Sequence, residues 1–397
     1  MLWRVLAHRK LYDLLVIAGL GLAVAALLWF PRESVGAAMD GLSLSMNVII
    51  PSLFPFFVLS TLMVRLGLTR YFGRALEPVM RPVFRVSGVA ASAFVLGFVG
   101  GYPVGAKTAV ALYESDQISK VEAERLLAFS NNSGPAFILG VVGVGIFASS
   151  RVGLMLYAAH GVASVLVGIL FRYWGTRQKL TVPEQNKTRR PDQTVRFSQA
   201  FVDSVTSAFQ ATISICGFVI FFTVFIRLLF LAGAIPAAAG ALGTLFASLG
   251  FDAAWASTLL IGLIELSSGV WSLRDVAGQM PAAIAMAAFM LGWAGLSVHC
   301  QVLSFIGGSG LSVRSYILGN FLHGGLSAAL IFLLVRLVPL DTTVAATLAE
   351  GVYSIAATDF YTSLRCSSLV ATGLLLTGIF VTLFSAKRAR QRRKHRV

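Results

Sequence analysis

Six stretches of this chain, residues 11–30, 42–64, 152–171, 210–231, 316–340 and 367–385, are apolar almost throughout. Each is near the ~20 residues that a helix needs to cross the hydrocarbon of a bilayer. Backbone in hydrocarbon must satisfy its own N–H and C=O groups, and a continuous apolar run does so as a helix. The apolar residues come in blocks and not in the alternation of a half-buried strand. The expected fold class is therefore an all-α polytopic membrane protein, with the lipid bilayer as its first partner. Composition agrees: 57% of the 397 residues are hydrophobic and only 12% are charged, too few to cover the surface of a soluble chain of this size.

The net charge of +15 raises nucleic acid as a partner, but the placement of the charge excludes it. Lys and Arg gather at residues 4–10, 65–85, 172–196 and 387–396, and each cluster flanks a span. Such clusters mark cytoplasmic loops. Both termini are expected in the cytoplasm, as are the loops 65–85 and 172–196 and Arg314, with 31–40 and 339–361 outside. The first apolar run, about 19 residues, is long for the h-region of a signal peptide and is read as a retained span. Cys216, Cys300 and Cys366 have neither metal-ligand spacing nor the pattern of a disulfide framework.

Between the spans lie apolar segments too short to cross. Residues 90–99 run into Gly100-Gly101-Tyr102-Pro103, and a second short helix is expected over 104–113. Ten helical residues cover only ~15 Å, which fits a re-entrant hairpin. Residues 121–129 and 136–147 then flank a break at 130–135, Ser-Asn-Asn-Ser-Gly-Pro. The second half repeats the plan, with a break at 265–269 and another at 295–299. Gly97 and Ser130 are as far apart as Gly262 and Gly295, and His160-Gly161 in the last span of one half returns as His323-Gly324 in the other. The charges orient the halves oppositely. The expected plan is a first span and outside loop (1–41), a first repeat (42–171), a basic cytoplasmic linker (172–207), a second, inverted repeat (208–340), and an outside loop, last span and basic tail (341–397). Paired interruptions in two inverted halves point to a secondary transporter with its site at the breaks.

The candidate substrate-binding residues are those of the breaks. Gly101, Tyr102 and Pro103 form the first. Asn131, Asn132 and Ser133 offer neutral donors and acceptors at the second, beside helix-starting Pro135, where free N–H groups favour an anion. Glu265, Ser267 and Ser268 form the third. Ser297, His299 and Gln301 are polar at alternate positions, so an unwound segment would aim all three at one cavity. Lys107 lies four residues past Pro103 in apolar surroundings. It captures an anion, snorkels, or pairs with a carboxylate such as Glu265. His299 is either a site residue or a packing residue, and His160 and His323 are read as structural. Glu114, Asp116, Lys120, Glu122 and Glu124 read as a solvated loop. Gly100 to Thr108 is not a phosphate loop, because Ala106 separates Gly105 from Lys107 and no strand precedes it. No H-E-x-x-H or G-x-S-x-G occurs, so no catalytic residue, cofactor or metal is expected.

Gly-Tyr-Pro-Val-Gly-Ala-Lys at 101–107, the stretch from Glu122-Ala-Glu-Arg through Ser133-Gly134-Pro135, Gly-Val-Gly-Ile-Phe at 143–147, Pro-Ser-Leu-Phe-Pro at 51–55 and Gly-Leu-Ser-Val-His-Cys-Gln at 295–301 resemble the sporulation integral membrane protein YlbJ family. The resemblance runs from about Leu42 to Leu330. It implies the Gate, or nucleoside-recognition, type of membrane domain and a fold distantly similar to concentrative nucleoside transporters. It implies a spore-forming bacterium and movement of dipicolinic acid from mother cell to forespore across the outer forespore membrane. The residues alone indicate a small polar solute, anionic where Lys107 binds it; the resemblance implies dipicolinate as the small-molecule partner, and a homo-oligomer is the other partner allowed for. A nucleoside carrier of the same fold and a scaffold for spore-envelope assembly are the alternatives.

Overall fold

A computed structural model describes residues 2–66, 69–175, 196–248, 252–276 and 280–337. The expected last span at 367–385, the segment 339–361, the basic tail and residues 176–195 of the basic linker lie outside the described residues. Within them the chain is helical throughout its regular structure.

Helix α1 (Leu2–Trp29) is followed at once by α2 (Pro31–Leu44), which leaves it at 98°. The expected outside loop at 31–40 is therefore helix. Pro31 takes a first-turn position, where its missing N–H costs nothing, and Glu33 meets the positive end of the helix. Ser34, Ala37 and Gly41 form its buried face, and Gly41 sits against the backbone of Ile220. A π-helical turn (Ser45–Ile49) carries α2 into α3 (Ile50–Arg65). Helix α4 (Thr69–Phe84) replaces most of the expected basic loop. Met80 and Phe84 are buried on its inner face, and Glu77 and Arg81 pair one turn apart on the other. After α4 the chain bends by 99° through a 3₁₀ turn (Gly88–Ala90) into α5 (Ala91–Gly100).

Helix α6 (Val104–Glu114) folds back on α5. Gly101 ends α5 at φ 74°, a conformation that glycine adopts without strain. Gly97 and Gly105 bring both arms against the carbonyl of Ser130, where α7 (Lys120–Phe129) stops. Helix restarts beyond Pro135 as a π-helical segment (Ala136–Ile146), and α8 (Ser150–Phe171) follows. Ser149 caps α8 by accepting the Val152 N–H at 3.2 Å.

Helix α9 (Phe197–Leu231) begins well before the expected start at Gln210, so the end of the linker is helical too. Then come α10 (Ala234–Ser248), α11 (Trp255–Ile264), α12 (Leu266–Ser272), α13 (Met280–Trp293), α14 (Gly295–Ile306) and α15 (Val313–Leu337). The last two breaks are shorter than expected. At the third, only Glu265 leaves the helix, and its carboxylate accepts the N–H groups of Ser267 at 3.0 Å and Ser268 at 2.6 Å. The side chain supplies the cap that longer unwinding would otherwise have to find. At the fourth, the turn is made by Ala294 and Gly295, at φ 76° and 78°, and helix resumes immediately.

Among the described residues, four segments, Ser150–Phe171, Phe197–Leu231, Met280–Ile306 and Val313–Leu337, are long and apolar enough to cross a membrane. The bent pairs α1–α2 and α4–α5 also pass that test when each is taken together. Close approaches such as Gly292 against Gly324 let α13 and α15 pack through small residues, as membrane helices do.

Residues 122–125 are not a solvated loop. Glu122 caps α7 through Ser119 and accepts the Ser87 N–H at 2.6 Å. Glu124, buried, accepts the Trp174 indole N–H at 3.0 Å and the Ser312 N–H at 3.1 Å. Arg125, 2% exposed, donates to the carbonyls of Trp174 and Arg85. One helical turn thus ties the ends of α4, α8 and α15 together.

Candidate functional site

The four breaks meet. Gly101 and Tyr102 from the first, Ser133 and Gly134 from the second, Glu265, Leu266 and Ser267 from the third, and Ser297 and Val298 from the fourth line one small cavity of about 50 Å³. Backbone contact holds the breaks in pairs: Gly101 lies on Gly134, and Gly295 lies on Leu266. The Tyr102 hydroxyl donates to the carbonyl of Leu291 on α13, which joins the first hairpin to the second half. The Oγ of Ser297 is buried here with no partner among the described residues. Buried hydroxyls are ordinarily bonded, so this is a place able to receive a polar group.

Gln301 and Ile215 border this cavity and also a second, larger one of about 540 Å³. That volume lies within the roughly 300–1,000 Å³ of small-molecule sites. Lys107 and Thr108 line it from α6, with Pro103 and Ser115 at its two ends, Gln301, Ser304 and Phe305 from α14, Ser207, Gln210 and Ser214 from α9, and Thr61 and Arg65 from α3. Among the described residues its lining holds two cations, Arg65 and Lys107, and no acidic residue. Lys107 is exposed to this space, with its Nζ 5.8 Å from the Phe305 ring centroid, a cation–π distance. Arg65 donates from Nη1 to Asp203 Oδ2 at 3.1 Å.

Several expected site residues lie elsewhere. Helix α14 places Ser297 and Gln301 on one face, four residues apart, and turns His299 to the opposite side. His299 is buried, with Nδ1 2.9 Å from the Tyr316 hydroxyl and its ring 4.3 Å from that of Trp293. Asn131 donates to the same Tyr316 hydroxyl at 3.3 Å, and Asn132 to the carbonyl of Phe129 at 3.0 Å. Asn131, Asn132, Ser268 and His299 are absent from the lining of both cavities, and the bonds of Asn131, Asn132 and His299 brace the breaks instead. The alternative that paired Lys107 with Glu265 is corrected. Glu265 is engaged at the start of α12 and borders the small cavity, while Lys107 borders the large one. His160 accepts the Ser133 N–H at 3.1 Å, and its ring lies 4.2 Å from that of His323, whose Nε2 reaches the His160 carbonyl at 2.9 Å.

Sequence reasoning missed Arg65 and the polar face of α9. A signal existed: Ser207, Gln210 and Ser214 recur at i, i+3 and i+7, one stripe along a span otherwise read only for its hydropathy. Ser297, Gln301 and Ser304 make a like stripe on α14, at i, i+4 and i+7.

Residues 47–150 match the family described as Gate, nucleoside recognition. The match runs from α3 through the first hairpin and the broken helix to the start of α8. No solved structure matches the chain. Over 343 residues, 82% of this chain and 83% of the relative, it is 33% identical to the sporulation integral membrane protein YlbJ of Bacillus subtilis (strain 168). Identity at that level over most of both chains, on a scaffold of membrane-length helices, makes this an integral membrane protein of the sporulation protein YlbJ family.

Proposed function

We propose that this protein is a transporter for a small carboxylate anion, dipicolinate, moving it from mother cell to forespore across the outer forespore membrane. The observation that carries the reading is the large cavity, with Lys107 and Arg65 in its lining and neutral hydroxyl and amide groups around them. Dipicolinate is a planar dianion with a ring nitrogen. Two cations answer its charge, Ser, Thr and Gln side chains its remaining acceptors, and Phe305 its ring face.

The same proposal takes the two halves as inverted repeats. Three pairings support it. The hairpin α5–α6 touches the break after α7 through Gly101 and Gly134, and α11–α12 touches the break after α13 through Leu266 and Gly295. His160 and His323, at matching places in α8 and α15, meet each other, as equivalent residues do near a twofold axis. On this plan the large cavity opens toward the cytoplasm and the small one lies at the midplane, with Gln301 between them. Arg274, which donates to the Gly145 carbonyl at 2.6 Å, ties the far end together. Rocking one half against the other then exposes the site alternately.

The description of the matched family favours a second reading, a nucleoside carrier. A sugar or base has no charge to set against Lys107 and Arg65, so the cavity supports the anion better.

The test is uptake of dipicolinate by vesicles containing the purified protein. Lys107→Ala is expected to abolish uptake while the protein still inserts and accumulates. Lys107→Arg is expected to retain part, because a planar guanidinium needs a different geometry from a compact ammonium. Full uptake by Lys107→Ala would reject the assignment of Lys107, and uptake of nucleosides but not dipicolinate would select the second reading.

A further inference from the structure

Arg65 already has a partner, and the way it is held points to a function. It ends α3 and lines the large cavity with Lys107. It meets Asp203 through one nitrogen, Nη1 to Oδ2 at 3.1 Å. Both side chains are more than a third exposed, 39% and 37%, so water screens the pair and it is weak. Asp203 has a second partner. Its other oxygen, Oδ1, accepts from Gln199 one turn earlier on α9, at 2.8 Å. The guanidinium therefore contacts a carboxylate fixed on a rigid helix by one edge, and the rest of its donor fork stays available. A free carboxylate entering the cavity can take both prongs of that fork, the stronger geometry.

Lys107 and Arg65 put two positive charges on one cavity, where like charges repel. A solute with one carboxylate relieves one of them. A solute with two, fixed on a rigid ring, relieves both at once. We propose that Arg65 is the residue that selects a dicarboxylate over a monocarboxylate, and that Asp203 occupies Arg65 between substrates and yields to the second carboxylate of the incoming one. This rests on the anion-transport reading given above and assigns its selectivity.

The experiment measures equilibrium binding of pyridine-2,6-dicarboxylate and pyridine-2-carboxylate to the purified full-length protein in lipid nanodiscs, by calorimetry at neutral pH. The unaltered protein is expected to prefer the dicarboxylate. In Arg65→Gln that preference falls at least about tenfold, the factor for losing a bond to a charged group, while the monocarboxylate still binds. Arg65→Lys, which keeps the charge and loses the fork, falls between the two. Asp203→Asn strengthens binding of the dicarboxylate, because nothing is then displaced. An Arg65→Gln protein that keeps the preference would overturn the assignment. So would one that weakens for both ligands equally while Arg65→Lys does the same, since Arg65 would then serve the fold or a general attraction. A weaker dicarboxylate affinity in Asp203→Asn would overturn the exchange. An unaltered protein that binds neither ligand would refute the transport reading itself, and the selectivity role with it, a result distinct from altered selectivity in a binding-competent protein.

Discussion

Replacing Gly105 by alanine adds one methyl group at the tightest point of the first hairpin. An ideal Cβ there would stand 1.8 Å from the Ser130 carbonyl oxygen and 2.7 Å from its carbon. Ordinary van der Waals contact begins at 3.4 Å, and both obstructing atoms are backbone, so no side chain can swing aside. The hairpin must withdraw from the break by more than an ångström, which pulls Gly101 and Tyr102 away from Ser133 and Gly134 across the small cavity. Overpacking of this kind costs ~1–3 kcal/mol and at times more. An alanine in an unobstructed helix would instead gain roughly 0.5–1 kcal/mol over glycine. Gly217 and Gly325 supply that control, since nothing lies within 4 Å of a Cβ at either. Gly105→Ala is therefore expected to lower the unfolding midpoint of the purified protein and to cut dipicolinate uptake at least tenfold, while Gly217→Ala and Gly325→Ala leave both unchanged or raise stability. Thermal unfolding followed by tryptophan fluorescence, with vesicle uptake beside it, measures the two effects. If Gly105→Ala behaves like Gly325→Ala in both assays, the hairpin does not seat on Ser130 and the convergence of the breaks fails with it.

Arg125→Leu leaves the carbonyls of Trp174 and Arg85 without charged donors, and a loss on the order of 3 kcal/mol is expected in denaturant unfolding; an unchanged midpoint would show that water replaces the guanidinium. Tyr316→Phe removes the hydroxyl shared by Asn131 and His299, for a predicted cost of ~1–3 kcal/mol, read as a lower midpoint with the fold retained. If α7 and the π-helical segment together make one crossing, as proposed, single cysteines at Lys120 and Ser150, in a background without native cysteine, react with an impermeant maleimide from opposite faces of the membrane; labelling from the same face would undo the proposed inversion.

The first hairpin and the break at 130–135 were legible because their cause is local. Gly100-Gly101-Tyr102-Pro103 and Asn131-Asn132-Ser133-Gly134-Pro135 interrupt a helix whatever surrounds them. The polytopic helical class was legible for the same reason, since hydrocarbon dictates helix to any apolar run of sufficient length. The family likeness was carried by those motifs and is shown by the identity to the Bacillus subtilis protein. The extent of the later breaks was not legible. Leu-Ser-Ser-Gly after Glu265 looks like loop, and only the capping carboxylate makes it helix.

What the sequence determined by itself is thus the helical class, the main apolar helices, the first two breaks and the polar residues that interrupt apolar runs. Only tertiary structure decided which of those residues face open space. Tyr316 claims Asn131 from 185 positions away, and Ser312 claims Glu124 from 188. A buried polar group takes whatever partner the packing brings within about 3 Å, because leaving it bare costs more than any local preference can return. The partners that convert a candidate binding residue into a brace, or a topological arginine into a cavity wall, are remote in the chain, and spacing along the sequence does not reveal them.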